Sequence, residues 1–305
     1  MDDIMQNIFI IPSHQINFTK WDKCISQSSN NILYAHSFYL NATCDNWSGL
    51  IINDYDAVLP IPWRKKFGIT YCYTPAFIQQ LGLFGNTKIL NEEITHTIKK
   101  HFRFGDMMLN FENKISSTEE INSLTNLIID LSIGYDSIHA NYKKDATLNI
   151  KKAEKENLHY SDSNEIEYII QLYQSHYQDR TKHTTAKDYS NFAKLATELS
   201  KQQKCFARIA KNNEQIVAAV LLLSDDQRIY NIMNIVTDEG RNKEANYFLM
   251  NNIIKEFAGK NLLFDLEGSD LSGVKSFYEK FGATNQPYFH WHFNELPWYA
   301  KLFKQ

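Results

Sequence analysis

The sequence predicts an α/β (α+β) fold of two tandem units, each a mixed, mainly antiparallel sheet flanked by helices. Three observations carry this expectation. Short runs with alternating apolar residues are interleaved with longer runs in which apolar residues recur every three to four positions. The order hairpin, third strand, helix, strand, helix, strand reads twice, with 47–52 (WSGLII) answering 205–210 (CFARIA) and 107–113 (MMLNFEN) answering 262–268 (LLFDLEG), about 155 residues apart. The length of 305 residues gives room for two ordinary domains.

In chain order, 8–11 is a short apolar strand, and a helix from residue 19 carries Trp21, Cys24 and Ile25 on one face. Residues 33–44 fit a helix or a strand-to-loop transition. Residues 47–53 and 57–68 flank Asp54-Tyr55-Asp56 and read as a hairpin. Pro60 and Pro62 cannot donate to a ladder, so the second strand is expected at an edge or to end there. Residues 69–85 continue the sheet as an aromatic-rich strand. A helix over 88–102 has Ile89, Ile94, Ile98 and Phe102 as its stripe. Then 106–112 is a strand, 118–131 a helix and 135–142 a strand. The boundary falls near Tyr142, giving units 1–142 and 143–305. The second unit opens with a basic amphipathic helix, 145–157, then a strand at 158–163 and helices over 166–177 and 187–202. A hairpin (205–210, 216–223), a third strand (228–236), a helix (243–258), a strand (262–267), a helix (271–281) and a strand (288–294) complete it.

Hydrophobic residues at 43% and charged residues at 22% are those of a globular protein. A net charge of −3 excludes a nucleic-acid footprint built on bulk positive charge. It leaves room for a local patch at Lys143, Lys144, Lys151, Lys152 and Lys155. The four cysteines lie far apart with no CxxC, which argues against zinc and against a disulfide scaffold. The first residues carry acids where a signal peptide needs Lys or Arg, and no stretch approaches the ~20 apolar residues of a membrane span. A cytoplasmic protein is expected. His139, His159, His290 and His292 show no metal-ligand spacing, so no metal is expected.

Chemistry concentrates near the end of the second unit. Along 262–268 side chains alternate, so Leu262, Phe264 and Leu266 share one face, and Asp265 and Glu267 fall on the other. Carboxylates at the end of an apolar strand are costly to bury unless paired or used. Either residue caps the next helix or pairs with a cation, or else it takes a proton from a substrate amine. Leu271, Val274, Phe277, Tyr278 and Phe281 form a helical stripe after Ser269 or Asp270 as N-cap, with Gly282 as C-cap. Tyr278 then lies on or beside the buried face, as a core aromatic or as a proton donor. Between the third strand and its helix, Gly240, Arg241 and Lys243 stand where backbone N–H groups and a helix dipole favour an anion. In the first unit, Tyr73, Gln79 and Gln80 on the aromatic strand and Arg64 next to it form either a solvated edge or a surface that binds substrate.

The series from 204 to 293 resembles the GNAT N-acyltransferase fold, and 276–283 (SFYEKFGA) is similar to its FY-x-K-x-GF segment. The resemblance implies that Tyr278 acts as general acid when a thiolate leaves. It also implies that Asn234, Ile235 and Val236, with the loop Gly240, Arg241, Asn242, Lys243, Glu244, Ala245 and Asn246, hold the thioester and pyrophosphate of an acyl-CoA donor. In the loop pattern R/Q-x-x-G-x-G/A, Glu244 and Asn246 stand where glycines are expected. Across most of the chain, tandem units joined by a basic helix resemble the Fem-type aminoacyl transferases and their CoA-using relatives; 147–158 (TLNIKKAEKENL) is similar to the helix that opens their second unit. Residues 173–182 (YQSHYQDRTK) are similar to their following helix, which ends near an arginine. The expected function is transfer of an acyl group from acyl-CoA to a small-molecule or peptide amine, with Glu267 or Asp265 as base. The alternatives are a tRNA-dependent aminoacyl transferase acting on a peptide or cell-wall precursor, with the lysine patch on RNA, and a non-catalytic binding protein.

Overall fold

The computed structural model describes residues 7–115, 119, 121–177, 183–268 and 270–298. Chain order is β1 (Ile8–Pro12), α1 (Phe18–Ser26), α2 (Ser37–Thr43), β2 (Trp47–Ile52), β3 (Ala57–Lys66), β4 (Ile69–Cys72), β5 (Phe84–Gly85), β6 (Ile89–Leu90), α3 (Glu92–His101), β7 (Phe104–Leu109), β8 (Lys114–Ile115), β9 (Ile121–Leu124), β10 (Leu127–Asp130), α4 (Tyr135–His139) and α5 (Lys144–Ala153). It continues with β11 (Leu158–Ser163), α6 (Ile166–Tyr177), α7 (Ala186–Lys201), β12 (Cys205–Asn212), β13 (Gln215–Ser224), β14 (Arg228–Val236), α8 (Asp238–Asn242), α9 (Ala245–Phe257), β15 (Leu263–Asp265), α10 (Ser272–Tyr278), β16 (Thr284–Asn285) and β17 (Tyr288–Asn294).

Two compact units result, and the first is not a continuous stretch of chain. The first comprises Met1–Leu124 with Pro287–Gln305, the second Thr125–Gln286. The expected break near Tyr142 is therefore corrected. In the first unit the sheet runs β1-β2-β3-β4-β7-β17-β9, with β5 also on β3; in the second it runs β11-β12-β13-β14-β15-β10-β16. Each unit thus seats, beside its parallel strand, one antiparallel strand from the other half of the sequence. β17 lies between β7 and β9, and β10 between β15 and β16.

Residues 118–131 were expected as a helix, yet 121–124 and 127–130 are strands. Leu124, Leu127, Ile128 and Leu131 match helical spacing, but Leu127 and Ile129 are the buried pair of β10, which is a period of two. Residues 135–142 carry α4 rather than a strand, with Ile138 turned to the core. The aromatic strand ends at Cys72, because Pro75 cannot donate and Phe77 adopts φ 61. β3 runs through both prolines. Its stretch 59–62 pairs only with β2, while β5 takes 57–58 and β4 takes 63–66, so the missing N–H groups fall on an unpaired side.

Cores follow from these pairings. In the first unit β2 is buried throughout, and Leu50, Leu59, Ile94, Ile98, Phe102 and Trp291 join one cluster. In the second, β13 is buried along almost its whole length; α5 and α9 share a cluster with Val220 and Leu222, and α6 also packs on this strand.

Candidate active site

A splay in the second sheet makes the opening. β14 pairs with β13 through a register slip that leaves Ile232 as the extra residue, a β-bulge. It pairs with β15 over only three residues, Arg228–Tyr230 against Leu263–Asp265 in parallel. From Asn231 to Val236, β14 runs on without that partner, so this stretch presents backbone on the β15 side.

Tyr278 stands against the opening. It is buried at the end of α10, where a short 3-10 turn closes on Gly282 at φ 73. Asn231 Nδ2 donates to Tyr278 Oη at 2.7 Å. Burial pushes the tyrosine hydroxyl well above its ordinary value, and hydrogen bonds from Asn231 and Asn234 pull it back. With its oxygen already accepting an amide N–H, the hydroxyl keeps its proton for donation. Tyr173 and Tyr177, one turn apart on α6 with ring centroids 5.1 Å from each other, act electrostatically on the same hydroxyl. Asn231, Tyr173 and Tyr177 were not singled out from the sequence as site residues. An asparagine within an apolar strand was the available signal for the first. The i,i+4 tyrosine pair was the signal for the others. The arginine expected after α6 lies outside the described residues.

The two carboxylates that alternation placed on one face have different fates. Asp265 is buried, takes Arg228 Nη1 at 3.0 Å and accepts from Asn126 Nδ2 at 2.9 Å. Burial pushes its carboxyl up, while Arg228 and Asn126 favour the charged form. This ion pair ties β14, β15 and the start of β10 together. Glu267 follows two residues later, in the left-handed region at φ 38, and its N–H reaches Asp265 Oδ1 at 3.4 Å. A non-glycine residue there holds a sparsely populated backbone conformation. Burial pushes the Glu267 carboxyl up to about 8. Ser269, one of the two expected N-caps, lies outside the described residues, and the N-cap position of α10 is Leu271.

The loop expected to meet an anion forms α8 and the start of α9. Gly240 packs so closely that a Cβ would come within 2.1 Å of the Val217 carbonyl oxygen, so only glycine fits. Its N–H bonds the Thr237 hydroxyl at 3.1 Å. Glu244, where the pattern has glycine, is left-handed at φ 53, ψ 29 and occupies the N-cap position of α9. The backbone thus keeps a glycine conformation although the glycine is gone. Lys243 is bound to Glu156 at 2.8 Å, and Arg241 is half exposed with Asp238 at 3.8 Å. Asn246 Oδ1 is buried without a hydrogen-bond partner among the described residues.

The candidate binding residues of the first unit lie on β3 and on the irregular segment after β4. Arg64 Nε donates to Asp45 at 2.7 Å, and its guanidinium covers the Tyr73 ring at 4.2 Å from the centroid. Burial pushes the Tyr73 hydroxyl up to about 12. Gln80 is buried and donates to Gln79 Oε1 at 3.0 Å, while its own Oε1 has no partner among the described residues. Gln79 and Gln80 therefore do not alternate across a strand. Of the lysine patch, Lys143 faces Glu279 at 3.4 Å and Lys152 bonds Asn149 at 3.2 Å.

Residues 140–272 match the family model described as an acetyltransferase (GNAT) domain. Among solved structures, FemX is similar with a TM-score of 0.63 at 12% identity, covering 98% of this chain and 100% of that one. A tandem GNAT protein from the clavulanic acid biosynthesis pathway gives 0.55 at 9% identity, covering 95% and 99%. A conserved protein from Bacteroides thetaiotaomicron gives 0.59 at 11%, covering 91% and 98%. No curated protein matches. Among the described residues, no helix is long and apolar enough to cross a membrane. Residues 140–272 thus match a GNAT acetyltransferase domain, and over nearly its whole length the chain shares the fold of FemX and of a tandem GNAT protein.

Proposed function

We propose that this chain transfers an acyl group from an acyl-CoA thioester to a primary amine in its second unit. The observation that carries the reading is the polar set at the β14–β15 splay, where Tyr278 has its oxygen engaged by Asn231 and its proton free to give. Glu267, which burial shifts to about 8, takes a proton from the attacking ammonium or from the tetrahedral adduct. Backbone N–H groups of Asn234 and Val236, which alternate away from β13, polarise the thioester carbonyl beside Ile235. Tyr278 protonates the departing thiolate. Asp265 is left to hold the sheet, with Arg228. The loop from Gly240 to Asn246 receives the pyrophosphate; its retained left-handed turn supports this, while the Glu244 carboxylate weakens it by repulsion. Tyr73, Gln79, Gln80 and Arg64 are proposed to bind the acceptor.

Thermal melting of the purified protein with acetyl-CoA, longer acyl-CoAs, CoA and bulk tRNA tests the donor. A ligand that binds only the folded state raises the melting temperature at saturation. A rise with a CoA species is expected. A rise with tRNA alone, steeply salt-dependent, overturns the CoA reading in favour of aminoacyl transfer. No rise with any of them favours a non-catalytic binding protein.

A further inference from the structure

Strand pairing in the first unit assembles a donor set that sequence spacing did not show. His292 on β17 stands directly opposite Asp106 on β7, and His290 lies two residues along the same strand. Alternation puts all three on one face, while Trp291, Phe293 and Met107 point into the core. Asp106 Oδ1 is 3.0 Å from His290 Nε2 and 2.8 Å from His292 Nδ1. One donor atom from each residue lies within 4.8 Å of the others. The Phe104 ring meets His292 edge-on at 5.4 Å, and Asn122 on β9 stands in register with His290. The three donors span strands separated by 184 and 186 residues in sequence.

We propose that Asp106, His290 and His292 form a binding site for a divalent transition-metal ion of the zinc class. Two imidazole nitrogens and one carboxylate oxygen are the ligand types such ions take, at about 2.0–2.2 Å each, with remaining positions left for water. The donors already converge on one point, so modest spreading admits the ion. Each imidazole proton now pointing at Asp106 moves to the other ring nitrogen, leaving a lone pair for the metal. An ion held there clamps β17 to β7.

The test uses the full-length, untagged protein after chelator treatment, titrated with zinc chloride by calorimetry and followed by thermal melting. One equivalent of saturable binding and a raised melting temperature are expected. Asp106→Asn and His292→Ala should each weaken binding at least ~10-fold, as loss of groups at metal sites does, and His139→Ala should leave it unchanged. Because all three ligands are at least partly exposed, the variants should fold, and circular dichroism checks this. Absence of one-equivalent binding, or equal affinity in the wild type and both variants, overturns the site and leaves a cross-strand ion pair.

Discussion

Each unit ends its parallel strand in the same turn. After β7, the Glu112 N–H reaches Asn110 Oδ1 at 3.1 Å; after β15, the Glu267 N–H reaches Asp265 Oδ1 at 3.4 Å. What surrounds the turns differs. Asn110 is a buried amide that also accepts from Asn30 at 3.0 Å, and Glu112 accepts from the Ser29 hydroxyl at 2.7 Å. The neighbouring Asn113 exchanges bonds with the Leu83 backbone at 2.8 and 2.9 Å. Neutral amides bound to backbone suit a scaffold. The second unit places an ion pair and a strained carboxyl of raised pKa at the same turn, and perturbed titration of that kind concentrates at working sites. The same turn thus carries a buried amide in one unit and a paired carboxylate followed by a raised carboxyl in the other.

The largest way to break this contrast is Arg228→Met. It strands Asp265 as a buried carboxylate, and removing one partner of a buried pair costs about 3–5 kcal/mol, read as a lower urea midpoint. A loss under ~1 kcal/mol would show that the pair does not hold the second sheet. Next, Tyr278→Phe should lower kcat by roughly 10²-fold or more with the fold intact, the scale of a lost general acid; full activity removes that role. Glu267→Gln and Glu112→Gln then compare the two turns directly. For the wild type, the rate should rise with pH through about 8 as Glu267 becomes a carboxylate. The first variant should abolish that rise and the second should keep it. The sign for stability is opposite. A carboxyl whose folded value is raised binds its proton more tightly when folded, so its contribution is present at low pH and is lost as pH rises through about 8. The smallest effect is expected from Glu244→Gly. It relieves a left-handed residue at about 1 kcal/mol and removes a negative charge, so CoA should bind several-fold tighter in a titration.

Much of the fold was legible because periodicity is local. The hairpins, the third strands and helix α9 follow from where apolar residues recur. The exchange of β10 and β17 was not legible, because alternation in 288–294 marks a strand and its buried face without naming the neighbour that accepts it. The same limit hid the companions of the site. Tyr278 could be placed on a helix, but its partner Asn231 lies 47 residues away, and only the bulged course of β14 brings them together. Asp265 and Glu267 looked equivalent from alternation alone. They separate only once Arg228, 37 residues from Asp265, is seen to claim the first.

The routing of β17 sets a schedule for the newborn chain. A ribosome delivers β7 and β9 early, yet the strand that belongs between them follows only after the whole second unit, with His290 emerging 184 residues after Asp106. During that interval the first unit waits with two unmatched strand edges, the kind of surface that pairs with the wrong chain. The second unit has no such wait, because β10 is its first strand and all its strands are continuous in sequence. Its folding can be completed first, although it comes second in the sequence.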